Sequence, residues 1–326
     1  MNNILVIGGA GYVGCKLIPA LLKENYKVTV YDLMIYGNNL PTYSKNLNII
    51  KEDVRNLKKL KETLNGQDII IHLACISNDP SFELNPKLGK EINFDCFEPL
   101  VKASRETGIK HFIYASSSSV YGVKDILDVT EDAKLDPLTD YSKFKVQCEE
   151  ILLSNTNKNF IGTILRPATV CGYSPRQRLD LVVNILTNYA YHKKKIKIFG
   201  GSQLRPNIHI SDMVNSYVCL LKAEKNKLQD QIFNVGFENY SVKTLASMVK
   251  KKINNNVELE FCESNDNRSY HINSDKITKI LNFFPKKNID EAIKELVEAF
   301  DTNLLPNSLS DEKYFNIKTM QKINLR

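Results

Sequence analysis

Two residues in the segment YSKFK, Tyr141 and Lys145, have the types and the spacing for acid–base chemistry. In a helix, side chains four residues apart lie one above the other on the same face. A phenol with a pKa of about 10 is a poor base at neutral pH, but a neighbouring ammonium group favours the phenolate and lowers that pKa. A tyrosine activated in this way takes a proton from a carbinol. The pair therefore indicates oxidation or reduction of an alcohol, although an exposed helical pair has the same spacing.

Four consecutive serines, Ser116–Ser119, follow the apolar run Phe112–Ala115, which predicts a strand. Parallel sheets bind their ligands at the carboxyl ends of the strands. Hydroxyl groups at that edge would hold a substrate oxygen close to the tyrosine. An ordinary serine-rich loop has the same composition, so this interpretation depends on a parallel sheet.

A glycine-rich turn, GGAGYVG, joins the first predicted strand to the first predicted helix. Gly8, Gly11 and Gly14 permit a tight turn and a close approach of the backbone to a pyrophosphate, which the helix N-terminus then attracts. Asp32 ends the second predicted strand, where a carboxylate accepts hydrogen bonds from the adenosine ribose. Because Leu33 follows it and not an arginine, nothing neutralises a 2′-phosphate, and we expect NAD as the cofactor rather than NADP.

Asp53 and Val54 follow the third predicted strand. A carboxylate and a backbone N–H at this point are placed to meet the amino edge of the adenine. The alternative is that Asp53 caps the next helix, and both roles are compatible.

The elements that must position these residues alternate between short apolar strands and amphipathic helices. Strands are predicted at 4–7, 28–31, 48–50, 69–71, 112–115 and 161–165, and helices around 17–22, 57–64, 86–107 and 141–153. This order predicts an α/β fold, a doubly wound parallel sheet of the Rossmann type with a smaller C-terminal α/β substrate lobe. We expect residues 1–167 to bind the cofactor and 168–326 the substrate, with about 207–236 returning to the sheet. The polar tail after Pro306 is expected to lie along the surface.

The composition excludes several classes of protein. The 326 residues carry a formal net charge of +7, with Lys and Arg spread along the chain apart from the short run at 192–195, which disfavours nucleic acid as a partner and suits an anionic substrate. The seven cysteines form neither a CxxC pair nor a metal-ligand spacing, so we expect reduced thiols and no metal. With no apolar run long enough to span a bilayer and no signal-like N-terminus, we expect a cytoplasmic protein without a membrane partner.

The motifs and their order resemble the extended short-chain dehydrogenase/reductase superfamily, and within it the NAD-dependent nucleotide-sugar epimerase/dehydratase branch. The resemblance covers nearly the whole chain, in the order GGAGYVG, Asp32, Asp53-Val54, HLA at 72–74, Asn93, SSSSVYG, YSKFK, LRPAT at 165–169 and RPNIHISD at 205–212.

The resemblance implies roles for individual residues. Ser117 would be the catalytic hydroxyl, Tyr141 the base and acid, and Lys145 the residue that binds the nicotinamide ribose and tunes the tyrosine. The implied NAD site consists of Gly8, Gly11, Tyr12, Val13, Gly14, Asp32, Asp53, Val54, Leu73, Ala74, Cys75, Asn93, Ala115, Tyr141, Lys145, Pro167 and Ala168. The implied substrate is a nucleotide-diphosphate sugar, held by Ser117, Ser118, Thr169, Arg176, Arg178, Arg205 and Arg268, with Arg205 on the diphosphate. His209 is expected to be structural, and the family commonly forms a homodimer or tetramer through the helices at 86–107 and 141–153.

Departures from the family pattern reduce the number of reactions that the chain could catalyse. Sugar-nucleotide 4,6-dehydratases typically have an acidic pair after the catalytic hydroxyl, and here Ser118 and Ser119 stand in its place. No second acid–base pair for 3,5-epimerisation is evident. Cys171 follows the LRPAT motif and could face the sugar, but a buried structural thiol is at least as good an interpretation of this residue. What remains is chemistry at C4 through a 4-keto sugar, by a 4-epimerase or 4-dehydrogenase of polysaccharide biosynthesis. Segments 172–180 and 265–271 differ from the usual galactose-epimerase pattern and favour an unusual hexose or heptose.

Other functions stay open at this point. The same residues fit a nucleotide-sugar 4,6-dehydratase, a 4-keto-sugar reductase or a reductase of hydrophobic carbonyls. A catalytically silent NAD-binding regulatory protein is the alternative of another class. The retained Ser117, Tyr141 and Lys145 argue against it, and the arginines of the C-terminal half argue for an anionic ligand.

Overall fold

A computed structural model describes residues 2–42, 44–124, 126, 128–263 and 269–323. The strands are β1 Asn3–Ile7, β2 Lys27–Asp32, β3 Leu47–Lys51, β4 Ile69–His72, β5 His111–Ala115, β6 Ile161–Pro167, β7 Thr169–Cys171, β8 Lys195–Phe199, β9 Leu204–His209, β10 Gln231–Val235, β11 Glu238–Ser241 and β12 Glu258–Cys262. The helices are α1 Gly14–Lys23, α2 Leu57–Leu64, α3 Asp79–Glu83, α4 Pro86–Lys90, α5 Phe97–Glu106, α6 Asp140–Ser154, α7 Val182–Lys193, α8 Ile210–Lys222, α9 Val242–Ile253, α10 Asp275–Leu281, α11 Ile289–Asp301 and α12 Asn316–Ile323.

The central sheet has seven parallel strands in the order β10-β6-β5-β4-β1-β2-β3. Its middle strands are apolar on both faces, as a sheet covered by helices on each side requires. One core cluster includes Ile4 and Val6 and the other includes Leu5 and Ile7, so alternate residues of β1 face opposite layers. The predicted doubly wound, Rossmann-type fold is confirmed. The chain order reverses beside β1, and the carboxyl ends of β1, β4, β5 and β6 therefore share one edge.

A smaller α/β part follows β6. It contains a three-stranded sheet, β11-β9-β7, and a two-stranded sheet, β12-β8, with α7, α9 and α11 around their common core. Between these elements, α8 packs with α1 in the core of the large sheet, and β10 pairs in parallel with β6. Thus β10 is a strand of the large sheet and α8 packs on that sheet, although in the sequence both lie between segments of the smaller part.

The C-terminal tail differs from the expected surface segment. Leu305, Tyr314 and Phe315 are buried against Leu296 and Phe300 of α11. Large aromatic side chains gain much free energy from burial, and this outweighs the polar character of the sequence around them. The tail therefore forms part of the core, and α12 begins beside the edge of the sheet where the strands end.

Candidate active site

A cavity of about 380 Å³ lies at the carboxyl ends of the central strands. Most of the residues predicted to bind cofactor or substrate line it. They are Gly8, Gly11, Tyr12, Val13, Gly14, Asp32, Asp53, Val54, Leu73, Ala74, Cys75, Ala115, Ser117, Ser118, Tyr141, Lys145, Pro167, Ala168, Thr169, Arg176 and Arg178.

The glycine turn at one end of the cleft leaves no room for side chains at two of its positions. Gly8 has a φ of +84°, and a Cβ there would lie 2.4 Å from the backbone nitrogen of Ala74. A Cβ on Gly14 would lie 2.2 Å from the carbonyl oxygen of Gly9. Strand, turn and helix therefore touch through their backbones, which is the arrangement that lets a pyrophosphate approach.

Asp32 is fixed at the end of β2 by two backbone groups. Its carboxylate accepts hydrogen bonds from the N–H of Ala10 at 2.9 Å and of Met34 at 2.6 Å. Burial raises the pKa of Asp32, and these two N–H groups oppose the rise. The carboxylate faces the cleft, where it is placed to receive hydroxyl donors.

Asp53 also lines the cleft, but it is already engaged. Arg55 pairs with it at 2.8 Å and with Glu91 at 2.9 Å. Burial opposes ionisation of Asp53, but the hydrogen bonds and the charge of Arg55 outweigh it and lower the pKa of Asp53. The cap of α2 is Asn56, which accepts a hydrogen bond from the N–H of Lys59. The capping role considered for Asp53 therefore belongs to Asn56.

Tyr141 and Lys145 project from α6 into the middle of the cleft. The Lys145 ammonium donates to the carbonyl oxygen of Ala115 at 2.7 Å and lies 5.7 Å from the centre of the Tyr141 ring. Burial raises the pKa of Tyr141 well above 10, Cys75 and Asp79 raise it further, and Arg178 opposes the rise. Burial therefore dominates the pKa of this phenol in the protein alone, and the lowering by Lys145 and a bound nicotinamide ring that the sequence predicts stays a prediction.

A chain of hydroxyl groups leads from the end of β5 to the start of α6. The Ser117 Oγ lies 2.9 Å from the Ser119 Oγ, which lies 2.8 Å from the Ser142 Oγ. The Ser142 Oγ is 3.1 Å from the Thr139 Oγ1, and the Thr139 hydroxyl donates to the buried carboxylate of Asp79. The sequence predicted serines 116–119 at this edge but not Thr139, Ser142 or Asp79, which come from two other segments of the chain.

Arg176 lies near Asp32 and Cys15 at the glycine-turn end of the cleft, whereas Arg178 donates to the Ser77 hydroxyl in the loop after β4 at 3.2 Å. The sequence predicts that both arginines bind the substrate, and this stays a prediction. Their segment packs on that turn, since the Tyr12 hydroxyl donates to the carbonyl oxygen of Gly172 at 2.6 Å. Arg178 pairs with Asp180 at 2.9 Å.

Arg176 has no carboxylate partner in the part of the chain that the structure describes. Its guanidinium stacks on the ring of Tyr36 at 3.7 Å and donates to the Asn316 side chain at 2.6 Å. Its Nε is buried and has no hydrogen-bond partner among the described residues. Tyr36 and Asn316 also line the cleft, and neither was predicted.

Two other predicted residues, Asn93 and Arg205, are not part of the cleft wall. Asn93 does not line the cavity, because its side-chain amide binds the backbone N–H and C=O of Ile76 at 2.7 and 3.1 Å. The Asn93 side chain therefore holds the loop after β4, and its predicted contact with the cofactor stays a prediction. Arg205 lies on β9, outside the cavity lining, and donates to the carbonyl oxygen of Leu204. Arg268 falls outside the described residues.

Two further residues that the sequence singled out are His209 and Cys171. The Nδ1 of His209 accepts a hydrogen bond from the N–H of Ser211 and so caps α8, which is a structural role. Cys171 is buried in the core of the smaller part. No cluster of three or more His, Cys, Asp or Glu side chains suited to a metal occurs among the described residues.

Comparison with known proteins identifies the family. The model of the NAD dependent epimerase/dehydratase family matches residues 4–236. The chain is 26% identical to a UDP-glucose 4-epimerase of Lactobacillus helveticus, over 89% of this chain and 94% of that protein. It is 34% identical to an uncharacterized UDP-glucose epimerase of Bacillus subtilis, over 76% and 81% of the two chains.

A solved structure agrees with these relatives. The fold matches UDP-glucuronic acid 4-epimerase from Bacillus cereus in complex with UDP-glucuronic acid and NAD, with a TM-score of 0.81, 27% identity and coverage of 92% and 99%. The family match spans both the glycine turn and the Tyr141–Lys145 pair. The chain therefore belongs to the NAD dependent epimerase/dehydratase family and is an enzyme of the extended short-chain dehydrogenase/reductase type.

Proposed function

We propose that this enzyme is a 4-epimerase of a UDP-sugar, working through a 4-keto intermediate. The observation that carries the proposal is the meeting of Ser117, Tyr141 and Lys145 in one cleft with the glycine turn and Asp32. The relatives described as UDP-glucose and UDP-glucuronate 4-epimerases support the choice of nucleotide and of the reacting carbon.

The residues at the glycine-turn end fit NAD. The backbone contacts at Gly8 and Gly14 form a cradle that a Cβ would fill. The buried Nε of Arg176, without a partner among the described residues, calls for an anion, because a buried charge is costly unless it is paired. We propose that Arg176 contacts the phosphates of the cofactor, that Asp32 binds the adenosine ribose, and that Asp53 and Val54 meet the adenine. The chemistry that NAD supplies when bound is acceptance of a hydride from the sugar and its return.

The catalytic residues of the chain handle the proton at the C4 oxygen. Tyr141 takes the carbinol proton when it is a phenolate and gives a proton back when it is a phenol. Lys145, whose ammonium is anchored on Ala115, supplies the positive charge that favours the phenolate and is placed to bind the nicotinamide ribose. Ser117 holds the C4 oxygen at the end of β5.

The site does not favour elimination of water. A 4,6-dehydratase needs an acid–base pair close to C5 and C6, and Ser118 is buried while Ser119 belongs to the hydroxyl chain. For the rest of the substrate we propose that Thr169, which lines the cleft, contacts the sugar. In the same proposal Arg205 binds the diphosphate, and Arg268 is a further substrate-binding residue. In this proposal residues 1–167 bind mainly the cofactor and 168–326 mainly the nucleotide sugar.

A direct test offers the purified enzyme UDP-glucose, UDP-glucuronic acid and UDP-N-acetylglucosamine, and identifies products by proton NMR. We expect one of them to be converted to its C4 epimer with no net consumption of NAD. Stoichiometric reduction of added NAD would instead identify a 4-dehydrogenase, and loss of water a 4,6-dehydratase.

We also propose a homodimer, or a dimer of dimers, that pairs through α5 and α6. The adjoining surface carries partly buried apolar side chains, among them the stacked rings of Phe94 and Phe144, whose centres are 4.9 Å apart. A monomeric mass by light scattering at micromolar concentration would contradict this assembly.

We also propose that the enzyme works in the cytoplasm and supplies sugars for polysaccharide synthesis. The seven free thiols support the first part of this proposal, because the cytoplasm keeps cysteines reduced. Among the described residues, every helix is too short or too polar to cross a membrane.

A further inference from the structure

We propose that Asn316, the first residue of α12, is a positioning residue that holds the Arg176 guanidinium toward the phosphates of the cofactor. The C-terminal tail is then part of the dinucleotide site, although the tail and the glycine turn lie at opposite ends of the sequence. The inference rests on the proposed function, because it takes from there the placement of Arg176 against NAD.

The Arg176 side chain is buried at the glycine-turn end of the cleft and still has an N–H group to offer. It is 3% exposed, it lines the cavity, and its Nε has no hydrogen-bond partner among the described residues. A buried charge is costly unless a group of opposite charge pairs with it. The surroundings of this guanidinium therefore suit an anionic ligand in the cleft.

Asn316 fixes the guanidinium through its side-chain amide. The Oδ1 of Asn316 accepts a hydrogen bond from Arg176 at 2.6 Å, and the Nδ2 donates to the Ser77 Oγ at 2.9 Å. Since arginine has donors only, the oxygen of the amide must face it. The guanidinium also lies on the ring of Tyr36, 3.7 Å from the ring centre. An amide and a phenol ring hold the group without neutralising it, so its charge stays available to an anion.

Capping of α12 does not account for the Asn316 side chain. Asparagine is a common N-cap, in which the side-chain oxygen accepts an N–H group of its own helix. Here the oxygen accepts from Arg176, and the N–H of Thr319 donates to the carbonyl oxygen of Phe315 at 3.0 Å. The backbone N–H of Asn316 donates to the Asp180 carboxylate at 3.2 Å. Both the backbone and the side chain of Asn316 thus bind the loop after β7.

Buried side chains on both sides of Asn316 fix the position of the tail. Tyr314 and Phe315 lie in the core that includes α11, and the N–H of Leu179 donates to the carbonyl oxygen of Tyr314 at 2.9 Å. Met320, one turn further along α12, lies in a core cluster of the large sheet. These anchors hold the amide in place before a ligand binds, and such preorganisation raises affinity.

The first test measures the Kd for NAD by isothermal titration, in the full-length protein stripped of cofactor. Asn316→Ala (N316A) frees the Arg176 side chain, and fixing one such side chain on binding costs about 2- to 12-fold in affinity. We therefore expect N316A to bind NAD about 2- to 12-fold more weakly. Because Asn316 acts through Arg176, the double variant R176M/N316A should bind NAD no more weakly than R176M.

Asn316→Asp (N316D) separates positioning from packing, because it should move stability and affinity in opposite directions. A carboxylate at this point pairs with the buried guanidinium, so we expect the urea midpoint of the free protein at or above that of the wild type, and that of N316A below it. The same pairing neutralises the charge that would meet the phosphates. We expect N316D to bind NAD at least about 10-fold more weakly than the wild type, which is the loss of one charged hydrogen bond. A merely structural role would lower stability and affinity together.

Thr319→Val (T319V) is the matched control on the same helix. Thr319 is buried and its hydroxyl donates to the carbonyl oxygen of Glu312 at 2.7 Å, but it does not line the cavity. Valine keeps the shape and loses this hydrogen bond, so the urea midpoint should fall while the Kd for NAD stays at the wild-type value. Titration of UDP into the NAD-loaded enzyme completes the set, and we expect N316A to bind UDP as the wild type does.

The outcomes distinguish this inference from the function on which it rests. A wild-type Kd for NAD in N316A, additive losses in R176M/N316A, or parallel losses of stability and affinity in N316D would each overturn the role of Asn316. Weaker binding of UDP with unchanged binding of NAD would assign the guanidinium to the diphosphate of the substrate and would overturn it as well. None of these measurements uses turnover, so a wild type that epimerises no UDP-sugar would overturn the proposed epimerase and leave the role of Asn316 toward NAD standing.

Discussion

Replacing Arg176 with methionine tests whether the C-terminal half of the chain helps to hold the cofactor. The side chain is 3% exposed, lies on the ring of Tyr36 and donates to Asn316. Methionine keeps much of the apolar volume and removes the charge and the donors. We expect a small change in the free energy of unfolding and a large change in the Kd for NAD, so the variant separates a role in folding from a role in cofactor binding.

In the free protein the changes nearly cancel. Burial lowers the pKa of Arg176 from 12.5 to about 10, which corresponds to about 3 kcal/mol of unfavourable burial that methionine avoids. Because the folded pKa lies below the unfolded one, this penalty is fully present at neutral pH and fades only as the pH rises above about 10. Methionine loses the stacking on Tyr36, worth about 0.5–2 kcal/mol, and the charged hydrogen bond to Asn316, worth about 1.5–3 kcal/mol. We expect the free energy of unfolding to change by less than about 2 kcal/mol.

NAD binding loses a charged contact with no compensation. A hydrogen bond to a charged group contributes about 1.5–3 kcal/mol, which corresponds to a Kd for NAD that is roughly 10- to 150-fold weaker. Isothermal titration of NAD into protein stripped of cofactor measures this, and urea unfolding without NAD measures the stability. The exposed Lys193→Met, on the last turn of α7, is the control for loss of one positive charge. An unchanged Kd for NAD in Arg176→Met would refute the placement of this guanidinium against the cofactor.

Three more predictions concern the glycine turn, the Asp32 carboxylate and the buried ion pair of Arg166 with Glu149. Gly14→Ala places a Cβ 2.2 Å from the Gly9 carbonyl, and we expect a loss of about 1–3 kcal/mol in urea unfolding together with loss of copurified NAD. NADP should bind at least about 100-fold more weakly than NAD in titration, because its 2′-phosphate meets the Asp32 carboxylate and like charges repel by several kcal/mol; equal affinities would be contrary evidence. Glu149→Ala leaves Arg166, 3% exposed and paired with it at 2.6 Å, as an unpaired buried charge. We expect a loss of about 3–5 kcal/mol in the free energy of unfolding, and a loss below about 1 kcal/mol would contradict the burial of this pair.

The glycine turn, the sheet and the Tyr141–Lys145 pair were predictable because each depends on residues close together in the sequence. A parallel strand is visible as an apolar run, and the i, i+4 spacing on a helix is local. Helix α9 was also within reach, since Val242, Leu245, Ala246 and Val249 have helical spacing and Ser241 provides the cap. The lysines around these residues hide the apolar face, and the helix was therefore not predicted.

The contacts that were missed depend on where distant segments meet. Asn316 reaches Arg176 across 140 positions of the chain, and Thr139 reaches Asp79 across 60. Nothing in the local pattern of the tail predicts that α12 begins beside the cofactor cleft. For the same reason the neighbours of Arg176 could not be predicted, because its position depends on how the loop after β7 folds back over the glycine turn.

The raised pKa of Tyr141 is a property of the folded site as well. Spacing predicts that Lys145 is near the phenol, but it does not predict how completely the phenol is buried or that Asp79 lies beside it.

Tyr141 is the residue that we propose exchanges a proton with the C4 oxygen of a UDP-sugar. The most direct measurement mixes NAD-loaded Tyr141→Phe with the UDP-sugar that the wild type converts and follows the near-ultraviolet absorbance of the reduced cofactor in a stopped-flow instrument. Phenylalanine keeps the ring in place and removes the oxygen, so binding of UDP should be unchanged while the rate of cofactor reduction falls by about 10²–10⁴-fold. Reduction at the native rate in Tyr141→Phe would show that another group does this work and would contradict the account of the site.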